Sequence, residues 1–198
     1  MRGLPLAYPG MIVGLLGGSF DPAHEGHAHA ADVARRRLGL HKVWWLVSPQ
    51  NPLKARSSPL ARRLASARAA ARGPAMVATD LESRLGLRFT RDTLLALRRR
   101  YRGVRFVLVI GADNLAELHR WRAWRAIAGL VAICVVARPG GGVRALCSPF
   151  ARRFGASRLA PGRESALPRI RPPAWIHLAA RHVPVSSSQL RAAGHRPA

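Results

Sequence analysis

A chain of 198 residues with 48% hydrophobic composition is long enough to bury the core of one domain. It holds no uninterrupted apolar run of the about eighteen residues that mark a membrane span, and its first ten residues lack the apolar stretch of a secretory signal. A formal charge of +24 suits a polyanion, whether nucleic acid or nucleoside triphosphate. Yet Lys42 and Lys54 are the only lysines among 33 basic residues, and the arginine runs at 35–37, 62–63 and 98–100 read as solvated helix faces in an arginine-rich composition.

Residues 1–10 contain one arginine, two prolines and two glycines and read as a disordered leader, leaving 11–198 as a single domain. Met11–Leu16 is a short apolar run that ends at Gly17-Gly18, the pattern of a buried strand entering a tight turn. Glu25–Leu38 is helical, with Gly39 placed as its C-cap. Val43–Val47 is a second strand, followed by the loop Ser48 to Lys54. A helix over Pro59–Arg72 stops at Gly73-Pro74, and Met76–Thr79 is a third strand. Thr90–Arg100 is a helix with Thr90 as N-cap. Val104–Ile110 and Leu130–Val136 are the fourth and fifth strands, separated by a Trp-rich helical stretch. Residues 140–173 read as irregular structure with one short helix. Trp175–Leu178 reads as a last strand and Ser186–Ala193 as a short helix.

Short apolar strands alternating with helices imply an α/β fold, a doubly wound and mainly parallel sheet with helices on both faces. Ligands of such sheets bind at the carboxyl ends of the strands, which puts Gly17–His27, Ser48–Lys54, Gly111–Asp113 and Arg138–Pro139 on one rim. Cys134 and Cys147 have no metal or redox spacing, and two cysteines in a chain of this size suit a reducing, cytoplasmic setting.

Chemistry concentrates in Gly17-Gly18-Ser19-Phe20-Asp21-Pro22-Ala23-His24-Glu25-Gly26-His27. Glycines without Cβ let backbone approach a nucleotide. His24 and His27 share one face of an opening helical turn, where imidazoles, free backbone N–H groups and the positive helix end suit phosphate. The spacing fits neither a Walker loop nor a dinucleotide fingerprint. A zinc site on His24, His27 and His29 is set aside, because the three-residue step differs from a zincin helix and no nearby cysteine or carboxylate completes it.

Gly17–His27 resembles the G-G-x-F-D-P-x-H-x-G-H signature of the H-x-G-H nucleotidyltransferase superfamily. Val185-Ser186-Ser187-Ser188-Gln189-Leu190-Arg191 is similar to its second motif, I-S-S-T-x-I-R, with serine for threonine and leucine for isoleucine. Within the superfamily the chain most resembles bacterial nicotinate-nucleotide adenylyltransferases. Ser48–Lys54 is similar to the loop whose basic residue reaches the phosphates, and Phe89-Thr90-Arg91-Asp92-Thr93 to the Y-T-x-D-T segment that contacts the pyridine nucleotide. Gly111-Ala112-Asp113-Asn114 with Trp121 is similar to the G-x-D-x segment and the tryptophan that stacks on the nicotinate ring. Val136–Gly140 is similar to the R-R-P-G turn. One departure is Arg122, where some relatives carry an aromatic residue.

The resemblance implies a Rossmann-like fold and the joining of AMP from ATP to nicotinate mononucleotide, with Mg2+ accompanying ATP. It implies catalytic roles for His24, His27, Lys54 and Arg191. ATP would meet Gly17, Gly18, Ser19, Phe20, His24, His27, Gly111, Asp113, Ser187, Ser188 and Arg191. The acceptor would meet Lys54, Thr90, Asp92, Trp121 and Arg138. Several of these positions have plainer readings. Trp121 and Trp124 lie three apart, as core pairs do, and Trp124 is assigned to the core. Asp113 could cap the next helix, and Thr90 with Asp92 could be a cap and a first-turn acid. Nicotinamide mononucleotide or phosphopantetheine remains an alternative acceptor, and a basic RNA-binding protein without catalysis a remote one. Nucleic acid and membrane partners are not expected, and a homo-oligomer is compatible with all of this.

Overall fold

The computed structural model describes residues 4–49, 57–137, 142–180 and 190. The elements in chain order are β1 (Ile12–Gly18), α1 (Glu25–Leu38), β2 (Lys42–Val47), α2 (Leu60–Ala70), β3 (Met76–Thr79), α3 (Leu81–Arg84), α4 (Thr90–Arg100) and β4 (Arg105–Gly111). They continue with α5 (Ala112–Glu117), α6 (Trp124–Leu130), β5 (Ala132–Ala137), α7 (Gly142–Leu146), α8 (Pro149–Arg153) and β6 (Trp175–Ala179). All six strands pair in parallel, in the order β3-β2-β1-β4-β5-β6. The chain therefore winds outward in one direction from β1 and then in the other from β4. The carboxyl ends of β1 and β4 are the switch point, where helices leave to opposite faces and a crevice opens.

The strands are buried on both faces, which is why they read as continuous apolar runs rather than alternating ones. Val13, Leu15, Trp44 and Leu108 face a core closed by Leu94 and Leu97 of α4, Leu115 of α5 and Ile127 of α6. Ile12, Leu16, Trp45 and Val109 face a second core closed by Ala31, Ala34 and Leu38 of α1 with Leu64 and Ala67 of α2. Trp44 and Trp45 are adjacent on β2 and each fully buried, one in each core. α1 ends as expected, with Gly39 left-handed at φ 65°.

Three expectations need correction. Residues 4–10 are not a loose leader: Pro5 is buried and its carbonyl accepts a hydrogen bond from Tyr101 Oη at 2.8 Å. The Leu6 carbonyl accepts from Lys42 Nζ at 3.2 Å, and Gly10 N–H donates to Gly103 O at 2.9 Å. A segment without periodicity is tied down here by backbone groups. Second, the N-cap of α4 is Phe89, and no side chain caps that helix, so Thr90 lies inside it. Third, 142–173 holds two short α-helices and two 3-10 turns (Gly155–Ser157 and Glu164–Arg169), not one helix. Pro149 opens α8, whose N-cap Ser148 accepts from Ala151 N–H at 3.2 Å. Helices of five residues are too short to display a period.

Candidate active site

Within the turn from β1 into α1, the two histidines bond to neighbouring backbone. His24 is the N-cap of α1 and its Nδ1 accepts the Gly26 N–H at 3.1 Å, while the His24 N–H donates to His27 Nδ1 at 3.2 Å. This reciprocal box normally uses serine and glutamate; imidazoles serve here. With Nδ1 accepting in both rings, each neutral imidazole carries its proton on Nε2 and is a donor there. The two ring centroids lie 3.9 Å apart. Phe20 has φ 49° and buries its ring between Trp45, 5.3 Å away, and His27, 5.0 Å away. Gly18 leaves room for that ring: a Cβ there would crowd Phe20 Cζ at 3.0 Å. A Cβ on Gly17 would meet nothing within 4 Å. Of the two glycines, Gly17 is the one open to a ligand.

A cleft lies at the carboxyl ends of β1, β2 and β4, and Gly17, from which the chain enters this turn, lines it. Gly17, Leu46 and Ile110 form its strand side, and Thr90, Thr93 and Trp121 its helix side. Trp121 follows the 3-10 turn Leu118–Arg120, with its N–H bonded to Leu118 O at 3.0 Å. Trp124 turns away and packs against Phe150 and Phe154 at 6.2 and 6.0 Å. Glu82 also lines the cleft and accepts the Thr93 hydroxyl at 2.8 Å. Burial pushes the Glu82 carboxyl above the usual range, partly offset by that hydrogen bond.

At the end of β4, Gly111 is the N-cap of α5 and no side chain caps this helix, Asp113 included. The Asp113 carboxylate lies over Gly111, where any Cβ would collide with its Oδ1. That leaves it at the strand end as an acceptor suited to ribose hydroxyls.

The family described as cytidylyltransferase-like matches residues 15–193. A Cereibacter sphaeroides protein named "Probable nicotinate-nucleotide adenylyltransferase" is 53% identical over 93% of this chain and 98% of its own length. A Ruegeria pomeroyi protein of the same name is 50% identical over 98% of this chain and 91% of its own. The chain belongs to the nicotinate-nucleotide adenylyltransferase family. In fold it is similar to the Plasmodium falciparum nicotinic acid mononucleotide adenylyltransferase complexed with NaAD, with a TM-score of 0.70 at 16% identity over 92% of this chain and 83% of that one.

For this adenylyltransferase, the fold brings Gly17, Thr90 and Trp121 into one cleft, and the chain runs from Gly17 into the turn that carries His24 and His27. Asp92 is not among the cleft-lining residues; it pairs with Arg91 at 3.0 Å. Ser19 and Phe20 are 8% and 1% exposed, so what they can offer a nucleotide is backbone. Lys54, Arg138, Ser187, Ser188 and Arg191 lie outside the described residues.

Two residues escaped the sequence reading. Glu82 sits in α3, a helix of four residues with no apolar period to mark it. The sequence reads Arg63 as part of a solvated face with its neighbour. Arg62 is exposed, but Arg63 is 1% exposed and donates to four carbonyls. Burial lowers its pKa and the Asp21 carboxylate opposes that shift, yet a guanidinium stays charged. Hydrogen bonds from such a charge, about 1.5–3 kcal/mol each after desolvation, make its burial tolerable. The only available signal was its position, one face of α2 with the apolar Leu64 and Ala67.

Proposed function

We propose that the chain joins the AMP moiety of ATP to nicotinate mononucleotide, giving nicotinate adenine dinucleotide and pyrophosphate, a step of NAD biosynthesis. The observation that carries this is one juxtaposition at the switch point of the sheet. Gly17, whose bare backbone walls a cleft with Trp121 and Thr90, is also where the chain leaves for the turn that carries His24 and His27. The turn suits phosphates and the cleft suits a flat ring on a ribose phosphate.

A 5′-phosphate oxygen of the acceptor attacks the α-phosphorus of ATP in line. The new P–O bond forms as the bond to the β-phosphate oxygen breaks, and pyrophosphate leaves with the electron pair. The nucleophile is already an anion, so no general base is needed. The barrier lies in bringing polyanions together and in charge on the leaving group, so positioning and electrostatics dominate. His24 and His27 donate Nε2–H groups to phosphate oxygens. Lys54, Ser187, Ser188 and Arg191 add further donors, Arg138 holds the acceptor, and Asp113 accepts from a ribose hydroxyl. Trp121 stacks on the pyridine ring, with Thr90 along the acceptor.

Among the described residues no three His, Cys, Asp or Glu side chains gather as a metal cage, and magnesium fits best as a companion of the triphosphate, held by its oxygens and water. When bound, it supplies charge neutralisation on the leaving pyrophosphate. Cys134 and Cys147 are free thiols, which supports a cytoplasmic enzyme. Among the described residues no helix is long and apolar enough to cross a membrane.

The reaction is tested by incubating the chain with ATP, magnesium and nicotinate mononucleotide and quantifying both products. Dinucleotide and pyrophosphate in equal amounts are expected. Pyrophosphate without dinucleotide would show ATP cleavage by another route and overturn the assignment.

A further inference from the structure

We propose that Arg63 is a positioning residue for adenylyl transfer, fixing the His24–His27 turn against the exit of β2. The inference rests on the function proposed above. From α2, the Arg63 guanidinium donates through Nε to Ser58 O at 2.8 Å and through Nη1 to Ser19 O at 2.9 Å and Ser48 O at 2.7 Å. Its Nη2 donates to Pro49 O at 2.8 Å. Three separate stretches of backbone thus meet on one planar group: the turn after β1, the chain leaving β2, and the approach to α2.

The neighbours of this group tie the same parts together. Ser58 N–H donates to Asp21 Oδ2 at 3.0 Å, Ala23 N–H donates to Ser66 Oγ at 3.0 Å, and Ser48 N–H donates to Gly18 O at 3.0 Å. Arg63 and Ser66 lie three apart on α2, so one helix face grips the turn at Ser19 and again at Ala23, immediately before His24. Lysine cannot replace this grip. Its donors radiate from a single nitrogen, whereas the guanidinium fork reaches acceptors on opposite sides of a plane. Arg63 spends four of its five donors on backbone carbonyls, so it acts through the histidine turn.

The test compares Arg63→Lys and Arg63→Gln with the wild type, each also in a His27→Ala background, by kcat, by KM for nicotinate mononucleotide and by Tm. A misplacement of about 1 Å costs about 10²-fold in rate. Arg63→Lys is therefore expected to lower kcat by roughly 10²-fold while KM moves less than about threefold. In the His27→Ala background the same change is expected to cost much less, because a residue acting through the turn is not additive with it. An unchanged kcat, or an equal loss in both backgrounds that tracks Tm, would overturn the proposal in favour of a purely structural role. Failure of both variants to fold would do the same. The wild-type arm separately reports the functional reading: no dinucleotide from the wild type would overturn that reading on its own.

Discussion

The turn between β1 and α1 and the cleft beneath α4 meet in the chain at Gly17, but they are built differently. In the turn, side chains are fixed by backbone within a few residues: His24 by Gly26, His27 by His24, and Phe20 by the space that Gly18 leaves. In the cleft, the walls come from separate elements, Glu82 from α3, Thr90 and Thr93 from α4, and Trp121 after α5. A constellation held by local backbone is stiff and cannot adapt, as phosphate chemistry demands. A pocket assembled from separate helices can change one wall without disturbing the others, as choice of acceptor demands. Substitutions in the turn are therefore expected to fall on kcat, and those in the cleft on KM.

The largest effect is expected from His27→Ala, which removes one transition-state donor and lowers kcat by roughly 10²–10³. Turnover close to wild type would take His27 out of the chemistry. Next is Trp121→Ala, expected to raise KM for nicotinate mononucleotide about tenfold, the scale of one lost aromatic stack. Trp124→Ala is its companion. Trp124 packs on Phe150 and Phe154, so its loss is expected to lower Tm by several degrees while KM for the acceptor stays put. A reversed pattern would exchange the roles of the two tryptophans.

The smallest effect concerns Glu82. Its folded pKa is raised, chiefly by burial. The stability it contributes is then complete below the unfolded carboxyl pKa of about 4.3 and is lost as pH rises through the higher folded value. Glu82→Gln keeps a neutral acceptor for Thr93 and cannot ionise, so its Tm is expected to fall less than that of the wild type between pH 4 and 8. Parallel Tm curves for the two proteins would remove Glu82 as the source of that slope.

How much of this was readable in the sequence follows the same division. The boundaries of α1, β3 and α4 are those that the apolar pattern implies, with the Gly39 C-cap marking the end of α1, and the parallel sheet follows from apolar strands alternating with helices. The turn was readable because all its groups lie within eleven consecutive residues, Gly17 to His27. The cleft was readable only in part. Thr90 and Trp121 carried a resemblance, but Glu82 meets Thr93 only once α3 and α4 are packed. Arg63 departs from that reading because composition treats all arginines alike, while burial of one depends on carbonyls contributed by two loops, β1–α1 and β2–α2. Residues 4–10 were misread for a similar reason, since Tyr101 and Lys42, far along the chain, hold them.

The most direct measurement is kcat/KM for pyrophosphate release with ATP and magnesium, comparing nicotinate mononucleotide, nicotinamide mononucleotide and phosphopantetheine as acceptors. Preference for the nicotinate compound by at least about tenfold, a difference of about 1.4 kcal/mol, is the expected result. Equal or greater efficiency with either of the others would contradict the assigned acceptor while leaving adenylyl transfer in place.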